Sequence, residues 1–381
     1  MNKKSKKIIF FKNASLLAIG LGALAIGCQK PHPGNVNLQN FEQVNLVANT
    51  AEYQPVTIDP TLLNAFGIAW SSGGTAWVNS VGGHVSELYT GDGAIARKPV
   101  NIPSPAGVNN GGLPCGIVFS GSLGFNLPDN KGAASFIFSG FDGVISGWNS
   151  TLNDNAIKTA GFAGAAYTGL AIASDNGHNF IYGANFGGNR IDVWDTDFKR
   201  VIMSFKDPLI PNDYSPYNIQ AIDDQLFVMY AQLTYDGGVP GHAEGVGKGF
   251  VSVFNTDGSF VKRFASRGTL DIPWGITLAP ASFLEQHDMG GKTNTANNHS
   301  QSPKEPIILV GNFGDGRINV FSLDGQYLGQ LQSHDHAIVI DGLWALSFAP
   351  SSATTIDPAR LYFSAGPDNE ADGLFGYLKK K

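Results

Sequence analysis

Two sets of side chains in this sequence could do chemistry. The first is acidic: Asp315, Asp341, Asp368, Glu370 and Asp372 fall in turn-like stretches of the C-terminal third. If their oxygens converge they would suit Ca²⁺, which takes about six to eight oxygen ligands. Asp368, Glu370 and Asp372 alternate only loosely like a calcium loop, and no EF-hand pattern is present. The favoured reading is plainer: these carboxylates bond to the backbone of their own turns. The second set is His84, His242, His334 and His336. In "SHDHAI" two histidines flank Asp335. On a strand they would share a face and could bind Zn²⁺ or move protons; on a loop, the favoured placement, they are merely polar. The chain has no G-x-S-x-G elbow, H-E-x-x-H, phosphate loop or paired C-x-x-C, so the strong catalytic signatures are missing.

The elements that must position these residues are repeats. "GANFGGNRIDVWDTDF" at 183–198 returns as "VGNFGDGRINVFSLDG" at 310–325. The match places Asn312, Phe313 and Arg317 in a shared junction and leaves Asp315, which stands where the earlier copy has Gly188, as the residue particular to the later one. Six apolar stretches carry a small residue early: "FGIAW", "CGIVF", "TGLAI", "YNIQAI", "WGITL" and "WALSF". The small positions are Gly67, Gly116, Gly169, Asn218, Gly275 and Ala345, spaced 49, 53, 49, 57 and 70 apart. A second and a third apolar strand follow each, and a weaker fourth follows most, such as "FKRVIMSF", "SFVKRFAS" and "QYLGQLQS". Asp-Gly turns such as "TGDG" and "NTDG" join third to fourth strands, as tight hairpins require. Copying one four-stranded unit six times predicts an all-β, six-bladed β-propeller. The last unit lacks its fourth strand, and "FEQVNLVA" (41–48) has no unit of its own, so the N-terminal strand is expected to join the last blade and close the ring.

That topology sends the second-to-third-strand loops and the blade connections to one end, hereafter the loop end. The candidate acids gather there, with His242, His334, His336 and the long loop 231–249. Binding groups concentrate on loops held by a rigid scaffold, so the loop end is the candidate face for a protein or polysaccharide ligand. The polar insert 282–306 falls at the opposite end.

Five lysines ahead of "ASLLAIGLGALAIG" give residues 1–27 the layout of a signal peptide, too short to span a bilayer comfortably. "AIGC" resembles a bacterial lipobox, which would make Cys28 the lipidation site and residues 28–40 a tether ahead of a single propeller over 41–381. The expected location is a cell envelope, lipid-anchored to a membrane on its periplasmic or extracellular side. Once the leader is removed, 20 Lys and Arg face 31 Asp and Glu, a formal charge of −11, which argues against nucleic acid as a partner. Cys115, the other cysteine, reads as a small buried hydrophobe.

"PWGITLAP", "GNFGDGRINVF", "IDGLWALSF" and "AGPDNEADGLFGYL" resemble motifs of a bacterial family of exported conserved hypothetical proteins related to NHL-repeat propellers, some with a PEP-CTERM sorting signal. The chain departs from that pattern by ending in "LFGYLKKK". The resemblance implies the propeller and transfers no activity. Two functional readings follow: a surface binding module, or a metal-dependent lactonase, hydrolase or lyase with an axial site, the latter by fold analogy alone.

Overall fold

The structure, a computed structural model, describes residues 36–121, 123–285 and 306–381. Cys28, the leader, most of the expected tether and most of the 282–306 insert lie outside the described residues.

Six sheets radiate from one axis, each innermost at its first strand. Blade 1 comprises Ala65–Trp70, Ala76–Ser80, Val85–Tyr89 and Ile95–Asn101. Blade 2 comprises Pro114–Phe119, Phe136–Gly140, Val144–Trp148 and Ile157–Gly161. Blade 3 comprises Tyr167–Asp175, His178–Asn185, Arg190–Trp194 and Arg200–Val201. Blade 4 comprises Tyr214–Ile222, Gln225–Asp236, Phe250–Asn255 and Phe260–Ser266. Blade 5 comprises Pro273–Ala279, Ile307–Asn312, Ile318–Ser322 and Tyr327–Gln330. Blade 6 comprises Leu343–Ser347, Leu361–Ala365 and Leu374–Lys380, and takes its fourth strand from Phe41–Ala48. There is no α-helix among the described residues.

The closing strand runs antiparallel to Leu374–Lys380, from Phe41 opposite Lys380 to Ala48 opposite Leu374, with one bulge between Asn45 and Val47. Phe41, Leu46, Val47 and Ala48 are buried in the seam. The sequence before it is not a free tether up to residue 40: Leu38 is buried, its carbonyl accepts Gln332 N–H, and Asn37 O accepts Lys380 Nζ at 2.6 Å. The expected fourth strand at "FKRVIMSF" shrinks to Arg200–Val201, because the connection of 202–213 leaves the sheet with Ile202 almost fully exposed.

The small early residues are needed where inner strands crowd one another. A Cβ on Gly116 would lie 2.5 Å from Leu170 N, and one on Gly169 would lie 2.0 Å from Asn218 Oδ1. Blade 4 carries Asn218 instead, whose Nδ2 donates to Trp274 O of blade 5 at 2.8 Å. Thr168 Oγ1 likewise donates to Tyr217 O at 2.6 Å, and Asn79 Nδ2 to Cys115 O at 3.2 Å. Buried side-chain donors thus tie the inner strands of blades 3 and 4, and the second strand of blade 1, to the inner strand of the next blade where a sheet ladder cannot reach.

Candidate functional site

The residue just before each small position lies at the loop end of the innermost strand. These are Phe66, Cys115, Thr168, Tyr217, Trp274 and Trp344, four of them aromatic. Trp344 is the centre: its ring stacks on Phe66 at 3.7 Å and on Phe313 at 4.0 Å, and meets Trp274 edge-on at 5.9 Å. Tyr217 packs on Phe186 at 4.7 Å and lies 6.1 Å from Trp344. Each aromatic pair contributes about 0.5–1.5 kcal/mol beyond area burial, so the cluster closes the axis like a stopper. Beneath it the channel narrows to a cavity of about 60 Å³ walled by inner strands, with Asn218, Gln220, Thr277 and Ser347 as its polar side chains.

Polar groups border this stopper. Trp344 Nε1 donates to Asn64 Oδ1 at 2.8 Å, and Asn64 Nδ2 donates to Glu370 Oε2 at 2.6 Å. Although Glu370 as a residue is exposed, crowding around its carboxylate raises its pKa, an effect Asn64 partly offsets. The same carboxylate helps raise the Tyr217 hydroxyl, whose main cause is burial. Asp368, Asn369 and Glu370 take left-handed φ of 54°, 53° and 68° in succession. Glu tolerates that region least of the three, so the carboxylate is aimed at some backbone cost. Across the mouth, the His242 ring lies 5.5 Å from Tyr217 and 5.1 Å from Phe313. Burial lowers its pKa, Glu244 opposes the shift, and its buried Nδ1 has no partner. The hairpin of Leu233–Asp236 with Val239–His242 delivers it.

The expected site residues do not form one set. Asp315 accepts Asn312 Nδ2 at 2.9 Å and pairs with Arg317 at 3.4 Å. Asp341 accepts the Asp368 amide at 3.1 Å, joining the loop before blade 6 to the 366–373 loop. Asp372 faces outward to Asn49 Nδ2 and the Tyr53 hydroxyl, both at 2.7 Å. Asp368 is exposed. Among the described residues, no group of three or more His, Cys, Asp or Glu side chains could hold a metal ion, so the five acids are not brought together as the Ca²⁺ expectation required. His334 and His336 lie exposed on a small hairpin, Gln332–Ser333 with His336–Ala337, and His84 Nδ1 lies 2.8 Å from Gly112 O. Of the expected residues, only Glu370 and His242 border the aromatic mouth.

The sequence reading missed Asn64, Trp344 and the phenylalanines. Phe186 and Phe313 of the repeated "NFG", expected in the blade junction, join the aromatic cluster at the axis. The signal was present as an aromatic residue just before the small position in four of the six repeats. Cys115 is 2 % exposed, and burial pushes its thiol far up, so it is inert packing.

The loop end also carries much of the exposed apolar surface. Val108, Tyr235, Val239, Val246 and Val339 are each more than half exposed, and all belong to loop-end segments.

Fold and site together define a single six-bladed propeller with an aromatic stopper at its loop end. The 30% identity to Uncharacterized protein R648 of Acanthamoeba polyphaga mimivirus runs over 353 residues, 89% of this chain and 80% of that protein, and the chain belongs to its family. Uncharacterized protein L690 of the same virus is 39% identical over 224 residues; the match spans 57% of this chain and about half, 52%, of that relative. No family model matches. Streptogramin B lyase superposes over 90% of this chain and 98% of its own, with 13% identity and a TM-score of 0.49. Virginiamycin B lyase from Staphylococcus aureus gives 13% and 0.43, over 90% of this chain and 99% of its own. Such distant likeness transfers no chemistry, and the propeller rests on the sheet order. The relatives named are viral, so the bacterial origin and sorting signal implied by the motif resemblance gain no support from them.

Proposed function

We propose that the chain is a binding propeller whose loop end docks a protein or polysaccharide, held at a cell envelope by lipid on Cys28. One observation carries the docking reading: exposed apolar side chains, the strained Glu370 turn and the unpartnered His242 Nδ1 share the end where the axis is closed by aromatics. Closure by packed rings suits a surface that meets a large partner better than a pocket that swallows a small one. A photo-cross-linking residue at Val239 should capture partners that the same group at Ile95, on the outer strand of blade 1, does not; equal capture at both positions would defeat the reading. Anchoring is tested separately, since Cys28→Ala should move the protein from the membrane to the soluble fraction.

A metal-dependent lactonase, hydrolase or lyase is the second reading. Its support is Glu370 with a raised pKa and His242 with a lowered one at the same mouth, the His242 ring 5.5 Å from Tyr217 and the Glu370 carboxylate acting on the Tyr217 hydroxyl. Bound metal together with turnover on a lactone and ester panel, both abolished in Glu370→Gln, would favour it over docking.

A further inference from the structure

A second group of titratable side chains is buried away from the mouth, at the seam where blade 6 meets blade 1. Glu87, in the third strand of blade 1, is 1 % exposed, and Asp59, on the 49–64 connection from the closing strand, is 7 % exposed. Thr61 Oγ1 lies 2.6 Å from both Asp59 Oδ1 and Glu87 Oε1. A hydroxyl has one hydrogen to give, so it cannot satisfy two carboxylates at once.

The surrounding donors decide which acid supplies the missing hydrogen. Asp59 already accepts from Thr61 N–H at 3.1 Å and from the Tyr89 hydroxyl at 2.9 Å. Glu87 has no comparable donors beyond Thr61, and no cation acts on it among the described residues. The consistent chain is therefore Glu87 carboxyl to Thr61 hydroxyl to Asp59 carboxylate. Desolvation pushes the Glu87 pKa up to about 7, with Asp59 adding to the shift and Thr61 opposing it. The blade 6 side of the seam offers aromatic groups, Tyr362, Phe375 and Tyr377, and one cation, Arg360, which pairs with Asp92 at 2.6 Å and lies over Tyr377 and does not act on Glu87.

We propose that Glu87, Thr61 and Asp59 form a proton-dependent latch: with Glu87 protonated the connection is tied to blade 1, and loss of that proton sets two buried carboxylates against each other and loosens it. The latch reaches the mouth. Ser80 Oγ donates to Thr61 O at 2.6 Å and accepts Leu63 N–H at 2.8 Å, and the next residue, Asn64, holds Trp344 and Glu370. Loosening of 59–64 would therefore reach the groups that aim Glu370. This inference stands whether or not the docking reading does.

The sign follows from linkage. The folded pKa of Glu87 lies above its ordinary value of 4.5, so the protonated group's stabilisation is full below about pH 4.5 and is lost as pH rises through about 7. Melting temperature measured from about pH 5 to about pH 8.5 should fall in the intact protein up to about pH 7 and level off above it. In Glu87→Gln that fall should largely vanish, leaving the variant at least as stable as the parent at about pH 8. If Glu87→Gln does not fold, Asp59→Asn serves, and should move the fall to lower pH by removing the repelling charge. Infrared titration should show one protonated-carboxyl band in the parent that is absent from Glu87→Gln. Amide exchange at 61–64, corrected for intrinsic pH dependence, should rise through the same range. A parent without the melting fall, a Glu87→Gln variant that keeps it, or a spectrum without the Glu87 band would each overturn the latch.

Discussion

Blades 3 and 5 share one stretch of sequence and close its charges in two ways. In blade 3 the acid is on the strand: Asp192, wholly buried, accepts from Arg190 at 2.7 Å, Arg200 at 2.9 Å, Asn185 at 2.8 Å and the Tyr167 hydroxyl at 3.0 Å. Burial pushes its pKa up, but these donors outweigh burial and hold it below the ordinary value. In blade 5 the strand position is Asn319, and the acid has moved into the turn as Asp315, with 18 % of its side chain exposed. Arg317 reaches it at 3.4 Å, while Arg317 Nε and Asn312 Oδ1 remain buried without partners. Blade 3 is thus satisfied around a sunken acid, and blade 5 is looser beside the mouth. The acid that looked like a ligand is the relocated partner of an arginine.

The largest effects should come from the paired phenylalanines. Phe186→Ala empties a site that is 1 % exposed and should cost about 3–5 kcal/mol in urea unfolding. Phe313→Ala, at a half-buried position, should cost well under half as much, yet remove binding at the loop end. Next is Asp192→Ala, at about 3 kcal/mol, the low end for breaking a buried ion pair because both arginines can turn to solvent. Acid titration should agree in sign: the contribution of Asp192 is present above pH 3.8 and lost as pH falls through its lowered pKa. Asp315→Ala should cost only about 1 kcal/mol or less, as for a partly exposed pair. The finest test is the exchange Asp315→Gly with Asn319→Asp, which rewrites blade 5 as blade 3. The double variant should be more stable than Asn319→Asp with Asp315 retained, where two carboxylates would compete for Arg317; equal stabilities would mean that the two blades do not solve the same problem.

The ring was legible because the blades repeat the same local instructions: a small residue for the crowded axis and apolar strands in each, and an Asp-Gly hairpin in blades 1, 4 and 5. Phe41–Ala48 could be assigned to blade 6 because the count left one strand over and one place empty. The mouth was harder to see. Its parts come from separate blades, and Asn64 sits in a connection with no motif, so its bonds to Trp344 and Glu370 exist only after the ring closes. Glu370 was visible as an acid, but its chemistry depends on an amide and an indole about 300 and 26 residues away. Spacing cannot report that kind of neighbour.

The docking role of the loop end is tested most directly by probing glycan and peptide arrays with the intact protein and with a variant carrying Val239→Ser, Phe313→Ala and Glu370→Gln, both first shown to melt cooperatively. The account predicts ligands bound by the intact protein and lost, by at least about tenfold in affinity, in the variant; about 1.4 kcal/mol corresponds to that factor. Ligands bound equally by both proteins would contradict it.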